Sequence, residues 1–341
     1  MASAILTTST LELPLKHPFK IARGETSLAR TALLRLDWNG LQGLGEAVPL
    51  ARYDESVQSV RDYFAQHPPA IDDPYLLEDI LGGEMPPAAR CGLDLALHDL
   101  IGKDLGVPLY RLLGLDPSET PLTSFTIGIA DPETTIAKVD EIRDHPVMKV
   151  KLGGGSVEQE IAMMELIRSR YTGTIRIDAN EGWDVESAIR ILAEIERFDI
   201  EFCEQPIPAG NPAGLRHIRE HSRIPIVTDE DSRFPSDLPA LYGCVDGINI
   251  KLVKCGGIRP ALAMIHTARA MGMKIMLGCM VESQISASAA AHLSPLVDWA
   301  DIDGPFLTAS DPFDGISYES GKIVLNDLPG LGVTEKTFAQ A

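Results

Sequence analysis

Three acidic residues recur along the middle of the chain at nearly equal spacing. Asp178, Glu204 and Asp229 are 26 and 25 residues apart, and each lies at the end of a short apolar run typical of a buried strand. If these runs are neighbouring strands, the carboxylates repel one another by roughly several kcal/mol per pair. A divalent cation would relieve that repulsion, and oxygen ligands without cysteine or histidine favour Mg²⁺, with Mn²⁺ as an alternative. The competing interpretation is that each acid is a solvated loop residue.

Three lysines accompany these acids. Lys149 and Lys151 are two residues apart, so they share one face of a strand, and Lys251 follows four strands further round. A substrate held over the acids would therefore meet an ammonium group on each side. Because a desolvated lysine near another cation loses its proton more easily, we expect Lys149 to lower the pKa of Lys151 and make it a competent base. The competing interpretation is a set of surface lysines extending from strand ends.

The elements that would position these residues alternate between short apolar runs and amphipathic helical stretches. Eight runs have the character of buried strands: 124–129, 146–152, 174–180, 200–205, 224–230, 245–252, 274–279 and 296–303. Eight strands alternating with helices predict an α/β fold, a parallel (β/α) barrel of the TIM type, with its chemistry at the carboxyl ends of the strands. A doubly wound open sheet is the alternative.

The first third of the chain has a different pattern. Strand-like runs at 6–13, 31–38 and 41–50 precede a helical pattern at 86–105, which together predict an α+β unit. Asn39-Gly40 between the second and third runs is a strong hairpin signal. We therefore expect an α+β capping domain over 1–118, a barrel domain over 119–304, and a C-terminal return over 305–341. The return contains two further strands, 316–319 and 323–325, and is expected to pack on the N-terminal unit.

Composition excludes several classes of protein. The chain has 341 residues, 45% of them hydrophobic, and contains no apolar run long enough to span a membrane. Its start lacks the features of a secretion signal, so a cytoplasmic enzyme is expected. A net charge of −19 disfavours nucleic acid and anionic membranes as partners. The five cysteines form no Cys-x-x-Cys pair, which indicates buried reduced thiols rather than disulfides or a zinc site.

Taken together, the motifs resemble a known family. KVK (149–151), DAN (178–180), EQP (204–206), TDE (228–230) and INIKLVKCGG (248–257) are similar to the muconate-lactonizing subgroup of the enolase superfamily, as are GEAVP (45–49) and the stretch 88–114. The resemblance covers nearly the whole chain and implies a capping domain closing over a modified barrel. It also implies functional residues: Asp178, Glu204 and Asp229 as metal ligands, Lys151 and Lys251 as the acid/base pair, and Lys149 as an electrostatic helper.

This arrangement suits the removal of a proton α to a carboxylate. The proton is weakly acidic because its loss adds a second negative charge, and a metal bound to the carboxylate stabilises the enediolate as it forms. A lysine on each face allows removal from one side and return from the other, which inverts the carbon. Elimination or cycloisomerisation needs only one of the two lysines, so the lysines alone do not select the reaction.

The last strand favours one reaction. Asp301 and Asp303 share a face, and the DIDGP segment (301–305) resembles the dipeptide epimerases, in which such a pair binds the free α-ammonium group of the substrate. The alternative is a pair of capping or loop acids. A mandelate-racemase-like mechanism would need a histidine after the seventh strand, and residues 278–283 contain none.

The substrate side chain is expected to contact loops of the capping domain. The resemblance places Arg23 in a flexible loop where alanyl-glutamate epimerases bind the glutamate side chain, so Ala-Glu is the first candidate dipeptide; Lys16 and Lys20 are rival cations. Ser124, Thr126 and Met280 are further candidates for substrate contacts. Thr228 and Asp231 depart from the family pattern, with consequences that the sequence does not define. An o-succinylbenzoate synthase or N-acylamino-acid racemase, a non-catalytic binding barrel, and a homo-oligomer all stay open.

Overall fold

An antiparallel sheet forms the base of the N-terminal unit. The computed structural model describes residues 3–22 and 24–337, so Arg23 lies outside the described residues. The strands are β1 (Ile5–Ile21), β2 (Gly24–Trp38) and β3 (Leu41–Ala47), paired in that order. The predicted hairpin turn is confirmed: Asn39 and Gly40 both have positive φ, at 49° and 82°, and Trp38 pairs with Leu41.

The first hairpin is longer than its sequence pattern predicts. The run at 6–13 continues to Ile21, and the register of β1 against β2 shifts between Pro14 and Phe19. Beyond this irregularity the hairpin reaches the barrel, where the backbone N–H of Ile129 donates to the carbonyl of Lys20 at 2.9 Å. The end of β1 therefore lies at the mouth of the barrel.

Four helices complete the N-terminal unit: α1 (Val57–Gln66), α2 (Leu77–Leu81), α3 (Pro87–Leu105) and α4 (Leu109–Leu112). Helix α3 is buried almost all round because it packs on the sheet on one side and on the barrel on the other. The sheet approaches it closely at Gly45, where an added Cβ would lie 1.9 Å from the carbonyl oxygen of Gly92. Glycine is therefore required at Gly45.

The second unit is the predicted parallel barrel. Its strands are β4 (Phe125–Ile127), β5 (Val147–Lys151), β6 (Thr174–Asp178), β7 (Ile200–Glu204), β8 (Ile226–Thr228), β9 (Gly247–Lys251), β10 (Lys274–Gly278) and β11 (Trp299–Asp301). They neighbour one another in chain order, and a bridge between Thr123 and Ala300 joins the two ends of the sheet. This order confirms the barrel, and the doubly wound alternative is wrong.

Helices surround the barrel: α5 (Pro132–Glu141), α6 (Val157–Arg168), α7 (Val185–Ile195), α8 (Pro212–His221), α9 (Leu238–Leu241), α10 (Leu252–Cys255), α11 (Ile258–Ala270), α12 (Gln284–Leu293) and α13 (Gly304–Leu307). Helix α7 begins after Asp184, whose side chain accepts a hydrogen bond from the backbone N–H of Ser187. Its apolar stripe, which includes Ile191 and Ile195, is buried against the sheet.

An apolar plug fills the lower part of the barrel. Phe202, Val227 and Met276 are fully buried together, with Trp299 packed against them. Beside the plug, Arg176 pairs with Glu201 at 2.6 Å. Charged side chains that project from the carboxyl ends of the strands are therefore directed to the open mouth.

The C-terminal segment binds both units. It contains β12 (Phe313–Asp314), β13 (Ser317–Glu319), β14 (Lys322–Val324) and β15 (Thr334–Glu335). The β13–β14 hairpin contacts the linker before the barrel, with Thr123 donating to the carbonyl of Gly321. Further on, the backbone N–H of Leu331 donates to Asp99 of α3 at 2.8 Å, and Asp99 also accepts from Leu44 of β3 at 2.8 Å. The tail thus returns to the N-terminal unit through residues 330–335.

Two further findings bear on the expected class of protein. Within residues 3–22 and 24–337, none of the helices combines the length and apolar character that a bilayer crossing demands. All five cysteines are buried, as the sequence predicts, and each is free in the structure.

Candidate active site

A cavity of about 350 Å³ lies between the N-terminal unit and the carboxyl ends of the barrel strands. Its outer wall is largely apolar and comes from the β1–β2 hairpin, the turn at 50–53, the loop after β10 and helix α13. Its floor carries the charged residues Lys151, Asp229, Lys251, Lys254, Asp301 and Asp303. A cavity with an apolar wall and a few converging charges can bind a small polar molecule.

Lys149 lies beneath this floor at the centre of an acidic cluster. Its side chain is fully buried, and its ammonium nitrogen is 2.5 Å from Glu204, 2.5 Å from Asp301 and 3.5 Å from Asp178. Burial acts to lower the pKa of Lys149, but the charges of the three carboxylates outweigh it and raise the pKa well above the ordinary value. The three carboxylates therefore favour the protonated form of Lys149.

Lys151 occupies one side of the cavity floor. Its ammonium nitrogen lies 2.6 Å from Asp178, whose other oxygen accepts the backbone N–H of Asn180 at 2.8 Å. Burial would raise the pKa of Asp178, but the charges of Lys151 and Lys149 lower it. The side chain of Lys151 stays open to the cavity.

Lys251 occupies the other side. Its ammonium nitrogen lies 3.2 Å from Asp229 and 3.8 Å from the sulfur of Met280. Burial acts to lower the pKa of Lys251, while the charges of Asp229 and Glu204 raise it above the ordinary value. Lys151 on β5 and Lys251 on β9 are four strands apart in an eight-stranded ring, so they face each other across the cavity.

A fourth lysine was not predicted. Lys254 is buried, lines the cavity, and places its ammonium nitrogen 2.7 Å from Asp229. Burial lowers the pKa of Lys254 in spite of the nearby carboxylate. Lys254 stands three residues after Lys251, at the end of the short helix α10, and this position inside the INIKLVKCGG motif is the signal that could have identified it.

Glu204 and Asp229 differ in their electrostatic environment. Burial, followed by the charge of Asp178, raises the pKa of Glu204 to about 7. Burial would also raise the pKa of Asp229, but Lys251 and Lys254 lower it far below its usual range. Asn249, which sequence analysis did not single out, donates to Glu204 at 2.7 Å and orients it.

The two acids after β11 have different partners. Asp301 pairs with Lys149 and accepts a hydrogen bond from Ser124 at 2.5 Å, so Ser124 supports Asp301 from behind. Asp303 accepts the backbone N–H of Thr126 at 2.7 Å. Burial and the neighbouring Asp301 charge raise the pKa of Asp303 to about 6. Asp303 has no lysine partner among the described residues and is the more available of the two for a cationic ligand.

The donors at the floor fit a hard metal ion. Both oxygens of Asp229 and one of Glu204 are buried, and among the described residues they meet no donor other than lysine ammonium groups. Lysine ammonium groups lie between the three carboxylates. In residues 3–22 and 24–337, no three acidic, cysteine or histidine side chains lie close enough together to hold a metal ion as they stand. Oxygen-only ligands of this kind match Mg²⁺. The assignment of Asp178, Glu204 and Asp229 as ligands stays a prediction.

Two contacts attach the N-terminal unit to the site. Arg52, next to the cavity, forms a two-pronged ion pair with Glu181, with the second prong at 2.8 Å. Glu46 of the GEAVP segment accepts hydrogen bonds from Thr31 at 2.8 Å and from the Ser283 hydroxyl at 2.7 Å, at the start of α12. The exposed Arg52–Glu181 pair holds the turn at 50–53 in place, and the buried contacts of Glu46 hold the loop after β10.

Comparison with known families agrees with this architecture. Residues 4–114 match the mandelate racemase / muconate lactonizing enzyme N-terminal domain. Residues 134–338 match the enolase C-terminal domain-like family. Together the two matches cover both units of the fold.

Individual relatives share most of the chain. A protein of Bacteroides thetaiotaomicron named L-Ala-D/L-Glu epimerase is 39% identical over 330 residues, which cover 94% of this chain and 85% of that protein. The substrate-liganded L-Ala-D/L-Glu epimerase of Bacillus subtilis superposes with a TM-score of 0.94 at 28% identity, covering 99% of this chain and 100% of that one. Dipeptide epimerase of Enterococcus faecalis, complexed with Mg and L-Leu-L-Tyr, superposes with a TM-score of 0.92 at 30% identity, covering 98% and 100%.

Proposed function

Because the chain belongs to the mandelate racemase and muconate lactonizing enzyme family of the enolase superfamily, we propose that it is an isomerase that epimerises a dipeptide. The inverted centre is the α-carbon of the C-terminal residue. The observation that carries this proposal is the placement of Lys151 and Lys251 on opposite sides of one cavity, with acidic residues on the strands between them. Two opposed amines suit a proton transfer that enters and leaves by different faces.

Three carboxylates would hold the metal. Asp178, Glu204 and Asp229 come from the ends of three adjacent strands, and the buried oxygens of Glu204 and Asp229 that meet no donor other than lysine ammonium groups among the described residues support this role. When bound, Mg²⁺ would neutralise the substrate carboxylate and stabilise the negative charge that develops there as the α-proton leaves. The three carboxylates are also close enough to the lysines to keep those side chains extended toward the cavity.

The lysines divide the remaining work. Lys151 and Lys251 would exchange the α-proton, each serving as base for one epimer and as acid for the other. Lys149 is buried under the floor and held protonated by Glu204 and Asp301, so it cannot reach the substrate carbon as a base. Its fixed positive charge would stabilise the negative charge on the substrate carboxylate.

Recognition of the free amino terminus distinguishes a dipeptide from an N-acylated substrate. Asp303 lines the cavity and would accept the α-ammonium group, while Asp301 is already paired with Lys149 and would contribute mainly charge. An o-succinylbenzoate synthase or N-acylamino-acid racemase has no ammonium group to bind, so buried acids at this end of the cavity favour the dipeptide.

L-Ala-L-Glu is the first substrate to test. The Bacteroides relative carries the name of an L-Ala-D/L-Glu epimerase. Arg23, proposed to bind the glutamate side chain, lies outside the described residues, and the described wall contributes apolar side chains such as Phe19, Ile21 and Leu50. Dipeptides with an apolar second residue therefore belong in the same panel.

The decisive experiment follows deuterium. The protein is incubated with Mg²⁺ and L-Ala-L-Glu in D₂O, and deuterium is expected at the glutamate α-carbon together with the L,D epimer, as read by NMR and mass spectrometry. A dipeptide panel and N-succinyl amino acids are run in parallel. Exchange of the N-succinyl compounds alone would select the racemase alternative, and no exchange with any compound would favour a non-catalytic barrel.

Variants of the two lysines test the mechanism. Lys151→Ala and Lys251→Ala should each slow epimerisation by roughly 10²–10⁴-fold, and each should still exchange the α-proton of one epimer only. Lys274→Ala is the control, because Lys274 is an exposed strand lysine paired with Asp298 away from the cavity. If both site variants epimerise at the control rate, the two-lysine mechanism is wrong.

A further inference from the structure

One buried glutamine organises the turn that follows β8. The side-chain oxygen of Gln205 accepts the backbone N–H groups of Asp229, Glu230 and Asp231 at 3.0, 3.0 and 3.3 Å. Gln205 itself is fully buried. Three donors directed at one oxygen fix the conformation of the turn, and with it the direction in which the Asp229 carboxylate leaves the backbone.

Asp231 determines which way this amide is oriented. The amide nitrogen of Gln205 donates to Asp231 at 2.7 Å and to the carbonyl of Ile207 at 2.9 Å. The other oxygen of Asp231 accepts the backbone N–H of Gly210 at 2.7 Å. Because a carboxylate only accepts hydrogen bonds, it holds the nitrogen of Gln205 on its own side and leaves the oxygen for the three N–H groups.

The backbone of Gln205 extends this connection to the neighbouring strands. Its N–H donates to the carbonyl of Val227 in β8 at 2.8 Å, and its carbonyl accepts the N–H of Glu181 after β6 at 2.9 Å. Gln205 has a positive φ of 34°, a strained conformation for a residue other than glycine. One residue thus connects the ends of all three strands that carry Asp178, Glu204 and Asp229.

We propose that Gln205 and Asp231 are a pair of positioning residues that presets the Asp229 turn for the metal ion, an inference that rests on the proposed function. Asp231 is one of the two departures from the family pattern noted in the sequence, and this chain uses it to lock the orientation of the Gln205 amide. Outer residues that orient a metal ligand commonly change metal affinity by about 10–100-fold when replaced.

The test begins with Asp231→Asn, which preserves the shape of the side chain. In one orientation, the NH₂ group of the new asparagine faces the NH₂ group of Gln205. In the other orientation, its oxygen faces Gln205 and the hydrogen bond from the backbone N–H of Gly210 is lost. We expect the Kd for Mg²⁺, measured by isothermal titration calorimetry without substrate, to rise about 10-fold or more. Glu194→Gln on the exposed surface of α7 removes the same charge far from the turn and should leave the Kd unchanged.

A reciprocal exchange separates positioning from general stability. In the double variant Gln205→Glu with Asp231→Asn, the new carboxylate can accept the three N–H groups, and the new amide can donate back to it. The total charge is the same as in the wild type. In the double variant, most of the lost Mg²⁺ affinity should return. The positioning role of the pair would be overturned if Asp231→Asn left the Kd unchanged, or if the double variant bound Mg²⁺ no better than Asp231→Asn.

A measurement without metal separates this proposal from the proposed function. In EDTA, amide hydrogen exchange of the peptide spanning residues 226–234 should be faster in Asp231→Asn than in the wild type, and slowed again in the double variant. Equal amide exchange rates in Asp231→Asn and the wild type would overturn the positioning role of the pair. If the wild type binds no Mg²⁺ and catalyses no deuterium exchange while these rates do differ, the proposed function fails and only the conformational role of the pair survives.

Discussion

At the scale of single residues, the arrangement of charge separates the roles of three lysines that look alike in the sequence. Lys149 contacts Glu204 and Asp301 at 2.5 Å and has no opening to the cavity. Lys151 and Lys251 each contact one acid at longer distance and line the cavity. A fully buried ammonium group with several carboxylate partners is a poor base and a good electrostatic anchor.

The two acids Asp301 and Asp303 also differ in their partners, because Asp301 pairs with Lys149 and Asp303 has no lysine partner among the described residues. Asp303→Asn should raise the KM for L-Ala-L-Glu by about 10–100-fold, because a hydrogen bond to a charged group contributes roughly 1.5–3 kcal/mol. The value of kcat should fall less. Asp303 is a better choice than Asp301, since replacement of Asp301 would also remove a partner of Lys149.

The matching control uses a substrate without an ammonium group. N-acetyl-L-Ala-L-Glu should bind weakly to the wild type, and Asp303→Asn should not weaken it further. Steady-state kinetics with both substrates measures this difference. Equal losses for the free and the acetylated dipeptide would mean that Asp303 does not recognise the ammonium group.

At the scale of elements, the Asn39-Gly40 turn joins β2 to β3 and can be tested separately from the chemistry. Gly40→Ala should lower the free energy of unfolding by about 1–2 kcal/mol, because an alanine at the left-handed φ of 82° is strained although its Cβ would meet open space. Urea unfolding measures the change, and epimerase activity should be unaffected.

A matched glycine controls for the loss of backbone freedom. Gly83 also has open space around a Cβ but has no positive φ. Gly83→Ala should therefore be neutral or stabilise the protein by up to about 1 kcal/mol. Equal destabilisation by the two substitutions would show that the conformation at Asn39-Gly40 is not the cause.

The strands and their order could be predicted from the sequence, because apolar runs and regular spacing report on burial directly. The extension of β1 to Ile21 could not, since Pro14 and Pro18 interrupt the alternation and the pairing depends on β2 and on contact with the barrel. For the site, the spacing of the acids and lysines along the chain predicted that they lie at one end of the barrel. The pairing of Lys149 with Asp301, and the hydrogen bonds of Gln205, depend on side-chain directions across distant strands that spacing alone does not reveal.

At the scale of the whole molecule, stability should depend on one buried histidine as the pH falls. His292 in α12 is 1% exposed, and its Nδ1 accepts the backbone N–H of Tyr110 at 3.2 Å. Burial lowers the pKa of His292 to about 4, from 6.5 in the unfolded chain. Protonation therefore favours unfolding, and the contribution of the neutral ring is present above pH 6.5 and lost progressively as the pH falls toward 4.

The predicted loss of stability follows from the difference between the pKa of His292 in the folded protein and in the unfolded chain. Between pH 7 and pH 4 the wild type should lose up to about 3 kcal/mol more stability than His292→Asn, whose side-chain oxygen can still accept from Tyr110. Urea unfolding at several pH values measures both slopes. If the free energy of unfolding falls with pH at the same slope in both proteins, His292 does not control the loss of stability, even if the variant is less stable at every pH.

The double role of Asp99 has a consequence for the ends of the polypeptide. One oxygen of this fully buried side chain accepts from Leu331 near the C-terminus, and the other accepts from Leu44 in the N-terminal sheet. A chain shortened before Leu331 would leave one oxygen of this buried carboxylate without the backbone N–H that it accepts, while Leu44 and Lys103 would still donate to the other oxygen. Leu331 is thus needed to complete a unit whose strands come far earlier in the sequence, so that unit cannot reach its final stability until synthesis has passed Leu331.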